Sequence, residues 1–155
     1  MDNMKRVAHQ VAMATVLSGA MAVGPALAAD VQVRVLNVAD AAGSVRVAVC
    51  VADQWLKPSC ARGARAPAHP GVVVVTVHDV PPGTYGVLAH HDRNDDGQVN
   101  PNLLGIPTEG IGFSRDAPMR FGPPRFEDAA LQVGIGAVMA DLTLRFEPEA
   151  GRGQR

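Results

Sequence analysis

The most chemically loaded stretch of the sequence runs from His90 to Asn100: His-His-Asp-Arg-Asn-Asp-Asp-Gly-Gln-Val-Asn. Side-chain oxygens fall at every second position, Asp92, Asn94 and Asp96, and Gly97 follows at once. This is the opening of a calcium loop: alternate residues of a tight turn aim hard oxygen donors at one cation, and the glycine admits the sharp bend. The Gln98 carbonyl and, often through water, Asn100 fall where two further ligands belong. The twelfth position is Leu103 rather than a bidentate Glu, and no helical pattern flanks the loop, so an EF-hand is excluded. A calcium site here is a strand-to-loop site, completed from a distance by Glu109 or Asp116. Its expected affinity is that of weak extracellular modules, about 10⁻⁴–10⁻³ M. The competing reading is a solvated turn, because turns use Asp, Asn and Gly without any metal.

Histidines offer a second chemistry. Copper or zinc needs two or three imidazoles around one point. His90 and His91 are adjacent, so on a strand they point to opposite faces. A periplasmic transition-metal site therefore reads as His69 with His90 or with His91. Against it stands the plainer expectation that His91 orients the acidic turn and His90 lies on a sheet face. A third class is a hydrolase, with Ser114 and His91 as nucleophile and base, or Glu109/Asp116 or Glu127/Asp128 as an acid–base pair. No G-x-S-x-G, H-E-x-x-H or Gly-rich phosphate loop is present, so the reading favoured here is non-catalytic.

These residues need a scaffold, and composition bounds it. The chain has 155 residues, 47% apolar and only 19% charged, with a net charge of -1. That balance argues against a nucleic-acid module or a polybasic membrane-surface protein. Sixteen Gly and twelve Pro favour short elements and turns over long helices. Residues 1–28 read as a signal peptide: Lys5 and Arg6, an apolar run from Val11 to Val23, then Gly24-Pro25 and the small-x-small Ala26-Leu27-Ala28. The product is expected in the periplasm or secreted, with no membrane span after removal of the leader. In such a compartment the pair Cys50 and Cys60 reads as a disulfide rather than a thiol or metal pair.

Strand signals dominate the mature chain. Val31, Val33 and Val35 alternate with polar residues, as do Val45, Val47, Val49 and Val51 with Arg46, Ala48 and Cys50. The turn Asp40–Gly43 between them predicts a hairpin. Residues 53–70 read as a loop pinned by the cysteines, and Val72–Val77 as a central strand covered on both faces. Pro81-Pro82-Gly83 predicts a second hairpin, placing His78 opposite Tyr85 and Val72 and Val73 near His91 and His90. Leu131, Val133 and Ile135 alternate, as do Leu142, Leu144 and Phe146, which predicts a final strand pair. Between them, residues 100–130 are irregular yet apolar, and are expected to fold over one face or end of the sheet as one long ordered loop. The fold expected is an all-β antiparallel β-sandwich, immunoglobulin-like or transthyretin-like, over 29–147, with a polar tail at 148–155. An open barrel is the alternative.

From Gly83 onward three blocks occur in order: Gly83-Thr84-Tyr85 with His91-Asp92-x-Asn94-x-Asp96-Gly97; Gly105-Ile106-Pro107-x-Glu109-Gly110-x-Gly112-Phe113-Ser114; and Arg120-Phe121-Gly122-Pro123-Pro124-x-Phe126-Glu127-Asp128-Ala129. With them the chain resembles the exported bacterial proteins known as domain of unknown function 2141. The resemblance implies a signal peptide and a β-sandwich-like domain, and brings no assigned reaction. The sequence departs from the family at His90, where an apolar or aromatic residue is expected, and in its cysteine pair. The Asp92–Gly97 loop is also similar to calcium loops of repeat domains in bacterial surface adhesins. In the second and third blocks, Phe113 or Phe121 could serve as a platform and Arg120 as an anion clamp, with Glu109 beside them. The residues then form an interaction surface for an unidentified protein or small ligand at the 103–129 loop. The rival account is structural, with charges and aromatics locking the loop onto the sheet.

Overall fold

The computed structural model describes residues 27–60, 62–100 and 108–146. The leader expected over 1–28 falls outside them except for Leu27 and Ala28. Leu103, Leu104 and Ile106, and the tail expected at 148–155, lie outside them entirely.

Strand β1 (Ala29–Val38) buries Val31, Val33 and Val35, and β2 (Ser44–Cys50) buries Val45, Val47 and Val49. A period of two with β-branched residues on one face is what a strand covered on one side requires. The chain continues through β3 (Arg62–Pro67), β4 (Gly71–Val80), β5 (Gly83–Asp92), β6 (Ile111–Phe113), β7 (Ala130–Val133) and β8 (Val138–Thr143). A single helical turn, α1 (Phe126–Ala129), precedes β7, and 3-10 turns occupy Ala52–Gln54 and Ser114–Asp116.

The strands form two sheets in a sandwich-like arrangement. One has the order β4-β1-β8; the other has the order β3-β2-β5-β6, with β7 also pairing with β5. The valines of both inner faces meet in one core, joined by Leu142 and Leu144. Each valine buried there contributes roughly 1.5 kcal/mol.

Several expected pairings are replaced. β1 and β2 are not a hairpin, because β1 pairs with β4 and β8 while β2 pairs with β3 and β5. The Asp40–Gly43 turn carries the chain from one sheet to the other. The Pro81-Pro82 turn does the same between β4 and β5, so His78 does not face Tyr85. Two successive prolines supply no N–H to close a hairpin ladder, and the apolar faces of β4 and β5 are both buried in the shared core between the sheets. The last two strands also separate: β7 joins β5, and β8 runs parallel beside β1. The sandwich is therefore mixed rather than antiparallel throughout.

β4 is covered on one face only, since Val72 and Val74 remain 42% and 51% exposed at the edge of the smaller sheet. Within the expected 53–70 loop, Arg62–Pro67 pairs with β2 as a strand. Its Ala, Gly and Arg residues have little intrinsic strand preference, and the pairing with β2 overrides it. The described part of the long loop, 108–129, packs on the five-stranded sheet and carries β6, a 3-10 turn and α1. The cysteines are bonded as expected.

Candidate functional site

The acidic loop leaves β5 at Asp92, whose side chain is fully buried. Arg46 of β2 donates from Nε to Asp92 Oδ2 at 2.5 Å, and the Gly97 N–H donates to the same oxygen at 2.9 Å. The Asp96 N–H donates to Oδ1. Burial alone raises the carboxyl pKa, but the Gly97 N–H and the Arg46 cation outweigh it and hold Asp92 below the ordinary carboxylate range. Asp96 accepts from the Asn100 and Asn94 amides and from the Gln98 N–H. Those donors, Asn100 foremost, lower its pKa too. Asn94 Oδ1 takes the Asp96 N–H. Gly97 sits at φ 79, the left-handed conformation that the bend requires.

The structure thus brings Asp92, Asn94, Asp96 and Asn100 together, with Gln98 joining through its main chain. Glu109 reaches them as well. Its buried carboxylate accepts the Arg93 and Asn100 N–H groups and so ties the two ends of the loop. Asp116 does not; it bonds Thr143 and pairs with Arg145. The side-chain oxygens of Asp92, Asn94 and Asp96 accept N–H groups. Among the described residues there is no group of three or more His, Cys, Asp or Glu placed to hold a metal ion.

The loop is braced from its other side. Ser44 Oγ donates to Asp95, and Arg93 pairs with Asp40 at 2.7 Å. His91 is buried, with Nε2 2.8 Å from the Ala42 carbonyl. His91 therefore orients the 40–43 turn rather than the acidic turn itself. His90 lies on the opposite face, so one ion cannot take both rings. His69 is exposed beside the Pro70 carbonyl. The Ser114 hydroxyl is buried, accepting the Val87 N–H at 2.9 Å and donating to the Ala129 carbonyl. Both its hydrogen-bonding roles are engaged in holding the outer segment to β5.

The outer face of the five-stranded sheet forms the floor of a groove. Strand register sets two rows across it: Arg65–Arg46–His90–Ile111, and Gly63–Ala48–Leu88–Phe113. One wall is the disulfide-pinned segment Leu56–Pro58, a second is Gly97–Val99, and a third is Met119–Pro123. The space they enclose is about 1210 Å³. Of the residues expected to form an interaction surface, Arg120 and Phe121 lie on this rim, with Phe121 fully exposed. Phe113 is buried in a small second core with Ala117 and Ala129, against Trp55 and Leu88. Glu109 is buried beneath the acidic loop, while Phe113, though largely covered, underlies the groove floor.

Sequence reading passed over Trp55, Arg46, Lys57 and Arg65. Trp55 donates from Nε1 to the Pro124 carbonyl at 2.9 Å, and its ring stands edge-on to Phe126 and tilted on Phe113. It lies on Gly86, where a Cβ atom would come within 2.5 Å of the ring. A lone Trp within a Cys-bounded segment was the available signal. Arg46, on the polar phase of a valine strand, was another.

Residues 33–140 match the family model described as uncharacterized protein conserved in bacteria, domain of unknown function 2141. No curated protein and no solved structure matches the chain.

Proposed function

The chain belongs to this bacterial family, and on that footing we propose that it is an exported, non-catalytic binding module whose site is the groove on the five-stranded sheet. The observation that carries this reading is His90. It lies in the groove floor at 8% exposure, and neither ring nitrogen has a hydrogen-bond partner among the described residues. An unpaired buried polar group costs about 1–3 kcal/mol, and a bound molecule that pairs with it recovers that cost. The Cys50–Cys60 bond supports export, since such bonds persist in oxidising compartments. The sandwich is in this reading of immunoglobulin-like or transthyretin-like kind.

The acidic loop serves as a brace that sets one wall of the groove. A calcium role is the weaker reading, because the charge of Asp92 is already met by Arg46 and both Asp92 and Asp96 are already served by N–H donors, with which a cation would compete. A copper or zinc role built on His69 with His90 or His91 asks still more, since His69 is exposed beside the Pro70 carbonyl and His91 Nε2 is already held by the Ala42 carbonyl. The neutral dye Nile red tests the groove. Its fluorescence should rise and saturate with the native protein, and fall in Ala48→Trp, which fills the floor without touching the core. Native-like dye binding by a folded Ala48→Trp variant would overturn the assignment.

A further inference from the structure

We propose that the groove takes a single-chain amphiphile with an anionic head, the head against Arg46, Arg65 and His90 and the tail over Leu88 and Met119 toward Phe121. This rests on the groove being the binding surface, and adds the chemistry of its occupant.

Charge is the first argument. The chain as a whole carries -1, yet Arg46, Lys57, Arg65 and Arg120 all line the groove and, among the described residues, no Asp or Glu does. Lys57, Arg65 and Arg120 make no ion pair among the described residues, and Arg46 gives only its Nε to Asp92. Its terminal amino groups have no hydrogen-bond partner among those residues and lie near Gly97, at the groove wall. An anion entering here meets Arg46, Lys57, Arg65 and Arg120 from several sides, with the carboxylate of Asp92 set behind Arg46 and buried.

His90 is the second argument, and it is independent of net charge. Register places its ring directly between Arg46 and Ile111. A head-group oxygen is the acceptor that the imidazole N–H lacks. The third argument is the remainder of the lining. Leu88 and Ile111 continue the floor, Met119 adds apolar surface from the wall, and the rim residues Leu56, Val99 and Phe121 are exposed apolar side chains. Clustered exposed apolar groups at one edge of a site mark an apolar contact. The open trough suits an extended chain rather than a compact polar ligand.

Calorimetric titration of the purified protein with dodecanoate, dodecyltrimethylammonium and butanoate, all below micelle formation, tests the proposal. Dodecanoate should bind one to one, at least about tenfold more tightly than the cationic amphiphile, and butanoate should not saturate. The variant Arg65→Glu/Arg120→Glu, both on exposed side chains, should weaken dodecanoate about tenfold and leave dodecyltrimethylammonium no weaker. His90→Phe should weaken dodecanoate while the neutral dye still binds. Equal binding of both amphiphiles, or butanoate binding as tightly as dodecanoate, overturns the inference while the groove assignment stands. Dodecanoate binding that Ala48→Trp leaves unchanged places the amphiphile elsewhere and overturns it too. Failure of Nile red as well as dodecanoate removes the groove assignment itself.

Discussion

Arg46 and Asp92 meet diagonally across β2 and β5, guanidinium Nε to carboxylate oxygen, with the arginine open to the groove and the aspartate wholly buried beneath the loop. One pair thus joins the binding face to the acidic turn. Through it, the Asp92-x-Asn94-x-Asp96-Gly97 pattern contributes to the groove by fixing where Gly97–Val99 stand.

Asp92→Ala leaves Arg46 and the Gly97 N–H without their acceptor and takes one of two acceptors from the Asp96 N–H. Loss of roughly 2–4 kcal/mol of stability is expected by chemical denaturation. The native carboxyl pKa is depressed. Its contribution is therefore fully present above the unfolded carboxylate range, about pH 4, and is lost as pH falls through the lower native value. The native protein should weaken steeply in that acid window, and Asp92→Asn should show a shallower slope there. Millimolar calcium should leave the melting temperature of both unchanged. A calcium-dependent rise in the native protein alone would return the loop to the class of metal sites.

His90 should shape a second, milder pH window. Burial is the largest influence on its ring and lowers its pKa, and Arg46 acts in the same sense. Asp92, Glu109 and Asp96 oppose them. The native state therefore binds this proton less readily than the unfolded chain does. Stability from this group is complete above the unfolded value near 6.5 and declines as pH falls toward the lower native one. His90→Phe should flatten the stability profile below pH 6.5, measured by urea denaturation at successive pH values. An unchanged slope would show that the ring is already solvated or paired.

Reducing the Cys50–Cys60 bond should loosen one wall of the groove before it unfolds the sandwich. The bridge closes a loop of separation 10, worth about 2.5–3 kcal/mol in the chain-entropy account. Trp55, the only tryptophan, lies inside that loop and against Gly86, so its emission reports the wall directly. Reduction should shift the emission to longer wavelength at temperatures where circular dichroism still shows strands. Gly86→Val should produce the same shift with the disulfide intact, because the new side chain occupies the space of the indole.

The two-residue period of β1 and β2 was legible in the sequence because alternation of valine with polar residues reports burial on one face. Which strands become neighbours was not. Asp40–Gly43 and Pro81–Gly83 carry ordinary turn signals, and nothing local separates a hairpin from a step between sheets. β3 was hidden because Ala64 and Ala66 are too small to write a strong period, so pairing with β2 had to supply the preference. The acidic cluster was visible, but its partners were not. Arg46 lies 46 residues from Asp92, and a buried ion pair of that span leaves no spacing rule. The groove cations likewise come from separate elements and gather only once register is fixed.

Ser114 separates a structural serine from a catalytic one. Its hydroxyl bridges the Val87 N–H of β5 to the Ala129 carbonyl at the end of α1, and it is completely buried. Ser114→Ala leaves that N–H without its side-chain acceptor and removes the tie between β5 and the 114–129 segment, so a loss of about 1–3 kcal/mol is expected. The release should spread outward. Met119–Pro123 lies in the segment between Ser114 and Ala129, and Pro124 accepts the Trp55 indole, so Nile red affinity should fall together with stability and Trp55 emission should shift to longer wavelength. A nucleophile behaves otherwise, since its replacement by Ala typically leaves the fold intact and removes turnover alone. Full native stability and dye binding in Ser114→Ala, alongside loss of an esterase activity present in the native protein, would reassign the residue to chemistry. Coupled loss of stability and dye affinity would fix it as the pin that holds the third wall of the groove in place.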